Sequence, residues 1–392
     1  FFTAKPAFGW GFWAHQRINR MAVFTLPPEM LGLYKRHIAY LTAHAVDPDK
    51  RRYAIDGEAP RHYIDIDHYG QMPFDNVPRR WYDAVEALSE DTLMAYGIVP
   101  YHLVNGWYDL KSAFEARDIP RIMKLSADLG HYIGDAHVPL HTTENYNGQL
   151  TGQKGIHGFW ESRLPELFGT NYDYLAGRAY YIEDIVQEGW DAVLESHQAL
   201  DSVLYLEKRL SQRFPDDRRY GYETRGAATM RVYARPYAEA YHRALDGMVE
   251  RRMRKAIRRV GAYWYSAWKA AGSPELDELL DIPLDAPDEK WEKRLQIIDR
   301  ESQDLGMLPP TPIRDYCCTK PQARPMGWPR ANINSVASPK STGSWWDNMW
   351  KESGSGFMPI KERVKNNLPK LRRGFALDQG RKTAFGGSNS ET

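Results

Sequence analysis

The segment that most constrains the fold is IPRIMKLSADLGHYIGDAHVPLH, residues 119–141. Its apolar side chains recur at steps of three and four residues, the period of an amphipathic helix. They are Ile122, Leu125, Leu129 and Ile133. One proline near the start and another after the last apolar residue set the expected limits of this helix. The segment therefore predicts a long helix over 119–138, with an apolar face that other elements have to cover.

The same period recurs over most of the first 271 residues, and strand signals are scarce. It predicts further helices over 13–25, 81–96, 101–116, 157–168, 182–213 and 226–271. The polar, glycine-rich segment 142–156 is predicted to be a loop. Hydrophobic residues make up 42% of the 392 residues, which is enough for a sizeable core. The expected fold class is all-α.

The composition changes after residue 271. Segment 272–306 is acidic, and Pro, Gly and Ser interrupt the chain from Met307 onward. Residues 319–392 contain 13 Lys and Arg against 5 Asp and Glu, a local charge of +8 in a chain whose net charge is +1. We predict that 272–392 is a largely irregular, partly disordered extension. Two interpretations of its basic end stay open: contact with anionic lipid or nucleic acid, or a solvated tail without a partner.

The beginning of the sequence and its cysteines bear on the compartment. Residues 1–9, FFTAKPAFG, end in small residues at the −3 and −1 positions of a signal-peptidase site, Ala7 and Gly9. They predict a signal-peptide remnant, with cleavage leaving Trp10 first; the alternative is an ordinary N-terminal arm. Only Cys317 and Cys318 are present, which argues against a disulfide framework or a thiolate metal site. No apolar run is long enough to predict a transmembrane helix.

Histidines and carboxylates recur at spacings that favour metal binding. His131 and Asp135 lie four residues apart and share a helix face, and His157 and Glu161 repeat the spacing. Others lie elsewhere along the chain: His15, Asp47, His62, Asp65, Asp67, His68, His137 and His141. A lone helical histidine is usually a packing residue, and His137 could point the other way. Together, however, imidazoles and carboxylates without thiolate are typical of catalytic zinc.

In combination, the spacings W-x4-H, D-x14-H, H-x3-D-x5-H and H-x3-E resemble those of the zinc-dependent phospholipase C and single-strand-specific zinc nuclease superfamily, over residues 10–271. The resemblance implies a secreted, mainly helical domain with three zinc ions in a cleft. It assigns Asp47, His62, His131 and Asp135 to one zinc, and His141, His157 and Glu161 to a second. The third would be held by His15, by a bridging Asp135, and by the terminal nitrogen and carbonyl oxygen of Trp10.

The chemistry expected from such a site is phosphodiester hydrolysis, since zinc lowers the pKa of bound water to about 7. Asp47 is the candidate for orienting or deprotonating the attacking water, and Asp65 and Asp67 are candidates for orienting ligating imidazoles. The five-residue step from Trp10 to His15 is similar to the nucleases, whereas Glu161 is similar to the phospholipases. We expect nucleic acid as substrate, with phospholipid as the alternative. Candidate substrate contacts are Lys154, Tyr146 and Phe159.

Other predictions concern the cellular setting and alternative functions. The lack of a disulfide framework and of N-glycosylation sequons favours an exported bacterial protein, periplasmic or extracellular, and no stable protein partner is predicted. A non-catalytic zinc-binding protein stays open as an alternative. So does a DNA-binding protein acting through the basic tail, which would show salt-sensitive binding without zinc.

Overall fold

Helices joined by turns, with one β-hairpin, form the part of the chain that the computed structural model describes, residues 11–52, 54–70, 72–225 and 228–277. All of these residues belong to one unit of the chain. The all-α prediction is confirmed. The predictions for the signal-peptide remnant, for Trp10 and for residues 278–392 lie outside the described residues.

The helices and strands are numbered along the chain. The helices are α1 Phe12–Ala22, α2 Pro28–Arg36, α3 Ile38–Ala43, α4 Asp47–Arg51, α5 Pro73–Asn76, α6 Trp81–Leu88, α7 Glu90–Tyr96, α8 Val99–Glu115, α9 Ile119–Ala136, α10 Ile156–Gly158, α11 Leu164–Phe168, α12 Ile185–Ser211, α13 Arg235–Ala244 and α14 Met248–Ala270. The strands are β1 Tyr220–Arg225 and β2 Ala228–Tyr233, which pair antiparallel. Short 3₁₀ turns cover Val23–Thr25, His44–Val46, Ala59–His62, Ile66–Tyr69, Pro139–Thr142, Gly169–Asn171 and Asp216–Arg218. One π turn, Phe159–Arg163, joins α10 to α11.

Helix α9 lies at the centre of the fold, in contact with α1, α3, α8, α12 and α14. It begins where the Asp118 carboxylate accepts a hydrogen bond from the Arg121 amide at 3.1 Å, with Pro120 in the first turn. Ile122, Leu129 and Ile133 are buried, as the sequence period predicts, whereas Leu125 is partly exposed. At Gly130 a Cβ would collide with the side chain of Asn19, so this glycine allows α1 to approach α9 closely.

Two of the predicted helices differ from the structure. The predicted helix 81–96 is divided at Ser89, whose φ of 68° ends α6 and whose hydroxyl accepts from the Thr92 amide to begin α7. The predicted helix 226–271 is wrong at its start, because β2 occupies that part and pairs Tyr233 with Tyr220. A second break follows at Gly247, φ 71°, between α13 and α14. Helices α2 and α3 were not predicted. None of the described helices is long and apolar enough to cross a bilayer.

Candidate metal centre

The C-terminal half of α9 carries the first two groups of the site. His131 and Asp135 project from the same face, and both side chains are fully buried. The Nδ1–H of His131 donates to the Ala45 carbonyl oxygen at 2.8 Å, which turns Nε2 toward Asp135 Oδ2 at 3.2 Å. The ring of His15, from α1, stacks on that of His131 with centroids 3.8 Å apart. The close approach of α1 and α9 therefore brings three predicted ligands together.

Asp135 lies between two sets of histidines. Its Oδ2 is 2.9 Å from His62 Nδ1 and 3.2 Å from His131 Nε2. Its Oδ1 is 3.3 Å from His15 Nε2 and 3.6 Å from His141 Nδ1. Burial alone would raise the pKa of Asp135, but His131 and His141 hold it well below its usual range. An ionised carboxylate with its two oxygens facing opposite sides has the geometry of a bridging ligand.

A second group contains His141, His157 and Glu161, as predicted. Glu161 Oε2 lies 2.9 Å from His157 Nε2 and 3.4 Å from His141 Nε2. The Nδ1–H of His141 donates to the His62 carbonyl oxygen at 2.7 Å, which leaves Nε2 directed at Glu161. The Gly11 amide donates to the Glu161 carbonyl oxygen at 3.3 Å, so the chain next to Trp10 adjoins this group.

The structure differs from the prediction at Asp47. Its carboxylate accepts hydrogen bonds from His44 Nδ1 at 2.5 Å and from Lys50 Nζ at 2.8 Å, and it belongs to none of the ligand groups found in the described residues. Asp49 takes its place: its side chain is 4% exposed and its Oδ1 lies 3.9 Å from His131 Nε2. Residues two apart in a helix are rotated by about 200°, so only one of these carboxylates can face α9.

The donor set fits zinc. The described residues contain three groups whose donor atoms lie, within each group, no more than 4.8 Å apart. The groups are His15, Asp49 and His131; His62, His131 and Asp135; His141, His157 and Glu161. The first two share His131 and form one continuous site. His15 Nε2, His141 Nε2 and Asp135 Oδ1 have no hydrogen-bond partner among the described residues. An unsatisfied buried polar atom costs about 1–3 kcal/mol, which a bound cation would offset.

The protonation of the imidazoles also bears on metal binding. Burial lowers the pKa of His15 to about 3 and that of His62 to about 4, so both are neutral at physiological pH. Neutral imidazole is the form that coordinates a metal. Burial would lower the pKa of His131 as well, but Asp135 and Asp49 raise it to about 9. A metal at this residue has to displace a proton.

The predicted substrate contacts are distributed differently. Tyr146 is half-buried beside the second group, its ring 5.8 Å from that of His157. Lys154 is exposed on the 142–156 loop. Phe159 is 2% exposed and stacks on Tyr233 at 3.8 Å, so it packs in the core and does not line the site. The loop itself is anchored to α12, because Gln153 Nε2 donates to the Leu204 carbonyl oxygen at 2.8 Å.

A group of acidic and aromatic side chains lies beside the ligands, here called the acidic–aromatic rim: Asp65, Tyr69, Tyr96, Glu144 and Tyr146. Sequence reasoning named Asp65 and Tyr146 singly, but it missed Tyr69, Tyr96 and Glu144 and the grouping of the five. Burial of the tyrosines raises the pKa of Tyr69, Tyr96 and Tyr146, and the charge of Asp65 raises it further. Asp65 is itself buried. The His68 ring stacks on Tyr96, and His68 Nδ1 lies 3.5 Å from Glu144. The motif RHYIDIDHYG signalled one side of the rim, whereas Tyr96 arrives from α7.

Asp67 was expected to orient a ligating imidazole, but its carboxylate bonds to other groups. Its Oδ2 accepts from the Thr143 hydroxyl at 2.6 Å and its Oδ1 from the Glu144 amide at 3.0 Å. These bonds hold the segment after His62 against the 142–156 loop. Arg52 is a second group that the sequence did not indicate: its Nη1 lies 3.3 Å from Asp49 Oδ1. It supplies a cation beside the first ligand group.

The fold is helical and gathers buried histidines and carboxylates around Asp135, a donor set typical of metal-dependent hydrolases. The family model described as zinc dependent phospholipase C matches residues 14–222, and the chain belongs to this family. No curated protein matches the chain. The resemblance found in the sequence is confirmed, and the protein is a zinc-dependent hydrolase acting on phosphodiester bonds.

Proposed function

We propose that the protein is a phospholipase C, which hydrolyses the phosphodiester bond between diacylglycerol and the headgroup of a glycerophospholipid. The observation that carries this choice of substrate is the acidic–aromatic rim beside the ligand groups. The family description agrees with it. The catalytic part of the proposal rests on the position of Asp135 between the two sets of histidines.

Three metal ions are proposed, two at the continuous site around Asp135 and one at the second group. Asp49, His62, His131 and Asp135 would hold the first; His141, His157 and Glu161 the second; His15 and Asp135, with the terminal amine of a chain that begins at Trp10, the third. Bound zinc supplies an activated water and neutralises charge on the phosphoryl oxygens. Asp49 is placed to accept a hydrogen bond from that water, the role expected of Asp47 from the sequence. Arg52 is placed to bind a phosphate oxygen.

The charge of the rim favours a lipid headgroup over a polynucleotide. The rim contains the carboxylates of Asp65 and Glu144 and the rings of Tyr69, Tyr96 and Tyr146, of which Tyr146 lies beside His157. Carboxylates and tyrosine faces bind ammonium groups such as choline or ethanolamine. A polynucleotide, by contrast, needs a basic track along its backbone. Arg52 is the cation beside the first ligand group, which suits a substrate with one phosphate.

Nucleic acid cleavage stays as a second candidate, because one observation favours it. The stacked rings of His68 and Tyr96, with Tyr69 at 6.3 Å from Tyr96, make an aromatic surface on which a base could stack. Such a surface binds single strands without sequence preference. The two candidates therefore differ in what the rim contacts: a cationic headgroup or a planar base.

A paired assay tests the proposal. Zinc-loaded protein beginning at Trp10 is given phosphatidylcholine or phosphatidylethanolamine vesicles, and in parallel single-stranded DNA. We expect diacylglycerol and phosphorylated headgroup from the vesicles, and no turnover by Asp135→Asn or after chelation. Cleavage of DNA alone would support the nuclease candidate. Zinc binding without turnover of either substrate would overturn the proposal in favour of the non-catalytic alternative.

A further inference from the structure

Glu58 is a buried carboxylate that has no part in the chemistry described above. It lies four residues before His62, and its side chain is 1% exposed. Its Oε2 accepts from Arg61 Nη1 at 3.1 Å, and Arg51 Nη2 lies 3.4 Å from its Oε1. The Tyr132 hydroxyl donates to the same Oε1. Two guanidinium groups, those of Arg51 and Arg61, therefore face the Glu58 carboxylate and balance its negative charge.

The ring of His62 lies between this anion and the metal ligands. Its Nδ1 lies 2.9 Å from Asp135 Oδ2 and 3.1 Å from His131 Nε2. Its Nε2 is on the other side of the ring, has no hydrogen-bond partner among the described residues, and is 3.8 Å from Glu58 Oε1. A histidine that binds a metal through one nitrogen generally donates the other N–H, and a carboxylate is a usual acceptor.

We propose that Glu58 is a positioning residue for the metal centre: in the metal-bound protein its carboxylate accepts a hydrogen bond from His62 Nε2–H, across a separation that is 3.8 Å here, and so keeps Nδ1 directed toward the metal. This inference rests on the metal centre and is independent of which phosphodiester is the substrate. It assigns the carboxylate–histidine–metal arrangement to a pair four residues apart, on the turn that ends at His62. Glu58 does not touch the substrate in this proposal.

The surroundings of Glu58 hold it at a fixed position relative to α9. Arg51 donates to both oxygens of Asp128, at 3.2 and 3.1 Å, and Arg51 Nη2 also donates to the Tyr132 hydroxyl oxygen at 3.3 Å. Asp128 and Tyr132 belong to the same helix as His131 and Asp135. The acceptor for His62 and the ligands that share its metal are therefore held by one rigid element. Such preorganisation is what a positioning group requires.

The test is a zinc titration of the full chain by competition with a chelator, which needs no substrate. For Glu58→Gln we expect about 10–100-fold weaker binding of one zinc, the usual effect of removing a group that orients a ligand. The remaining zinc ions should bind as before. The visible absorption of Co²⁺ bound at the affected site should also change, a signature that an altered fold stability alone would not produce.

Three further variants separate positioning from stability. Asp128→Asn weakens the Arg51 contact but keeps the Glu58 carboxylate beside His62, and should lower the zinc affinity much less than Glu58→Gln does. Glu58→Asp keeps the charge, and should recover part of the affinity if Glu58→Gln folds poorly. Adding Glu58→Gln to His62→Ala should weaken zinc binding no further, because both act on the same metal. Unchanged zinc affinity and Co²⁺ spectrum in folded Glu58→Gln would overturn the proposal, whereas loss of phospholipase activity alone would bear only on the proposed function.

Discussion

Two buried polar clusters lie on either side of the C-terminal end of α9, and they differ in how their hydrogen bonds are satisfied. On one side, the ligand cluster around Asp135 contains imidazoles that face one another and several atoms without a hydrogen-bond partner among the described residues. On the other side, His137 donates through Nδ1 to the Ile133 carbonyl oxygen at 2.7 Å and accepts from Arg259 Nη1 at 2.9 Å.

The second cluster, here called the arginine cluster, contains His137, Glu188, Glu195, Ser196, Arg252 and Arg259. Arg252 Nε donates to the His137 carbonyl oxygen at 2.9 Å, and Arg259 Nε donates to Glu188 at 2.6 Å. The Ser196 hydroxyl donates to the Ala136 carbonyl oxygen at 2.5 Å. These bonds join α9, α12 and α14. Two histidines of one segment thus have different tasks: His131 has a nitrogen directed at other ligands, whereas both nitrogens of His137 are used within the fold.

The sharpest test of this comparison makes the same chemical change in each cluster. Asp135→Asn removes the charge between the two sets of histidines. We expect loss of bound zinc and a fall in turnover of at least about 10³-fold, since the group acts on every proposed metal but one. Glu195→Gln, in the arginine cluster, should leave zinc content and turnover unchanged. Zinc analysis and the vesicle assay give both results, and zinc retained by Asp135→Asn would contradict the assignment of the ligand cluster.

The sequence predicts contacts within one helix better than contacts between residues that are far apart along the chain. The pairing of His131 with Asp135 was predictable because a helix alone sets their shared face. The same spacing pointed to His157 with Glu161, although a π turn carries Glu161. The orientation of His137 was not predictable, since it depends on Arg259, which is 122 residues away and belongs to α14. The acidic–aromatic rim could not be predicted as a group for the same reason, because only the tertiary fold brings Tyr96 into contact with His68.

Asp47 and Asp49 show the limit within a single motif. The sequence DPD offers two carboxylates, and the phase of a helix that begins at the first of them decides which one faces α9. The contact of Asp47 with Lys50 three residues later was a local signal, but it is equally common on solvated helix surfaces. The spacing to His62 favoured Asp47, whereas the fold brings Asp49 into a group with His15 and His131.

This pair gives the second prediction. Asp49→Asn should weaken the binding of one zinc ion by about 10–100-fold, the range found when groups that support a metal site are removed. It should also lower turnover when zinc is limiting. Asp47→Asn should change neither by more than about 3-fold, because its carboxylate is 20% exposed and is already bonded to His44 and Lys50. Chelator competition measures both affinities. A larger effect for Asp47 than for Asp49 would restore the prediction made from the sequence.

The third prediction concerns stability, which the arginine cluster should control. Arg259→Met leaves Glu188 and His137 without the donor that they share, at a buried position. Breaking a buried pair in this way costs about 3–5 kcal/mol of unfolding free energy. The matched control is Arg251→Met on the exposed side of the same helix, expected to stay within about 0.5 kcal/mol. Denaturant unfolding of the metal-free protein measures the difference, and equal stability of both variants would show that the cluster is not structural.

The smallest expected effect is the acid sensitivity that Glu195 contributes. Burial would raise the pKa of Glu195, but Arg259, Lys255 and Arg252 lower it, with Glu188 and neutral His137 nearby. The folded protein therefore binds the proton less readily than the unfolded chain, whose glutamate has a pKa of about 4.3. The stability from this group is fully present above that pKa and is lost as the pH falls through the lower, folded value.

Unfolding of the metal-free protein between about pH 6 and pH 3 can measure this contribution, because Glu195→Gln should lose stability less steeply with acid than the unsubstituted protein. The difference should be below about 1 kcal/mol, since the carboxylate is partly exposed and screened by solvent. Removing the metal keeps proton competition at the ligand cluster identical in both proteins. Parallel curves would mean that the three cations do not lower the pKa of Glu195. The contrast between the two clusters would then lie in hydrogen-bond geometry and not in the charge of Glu195.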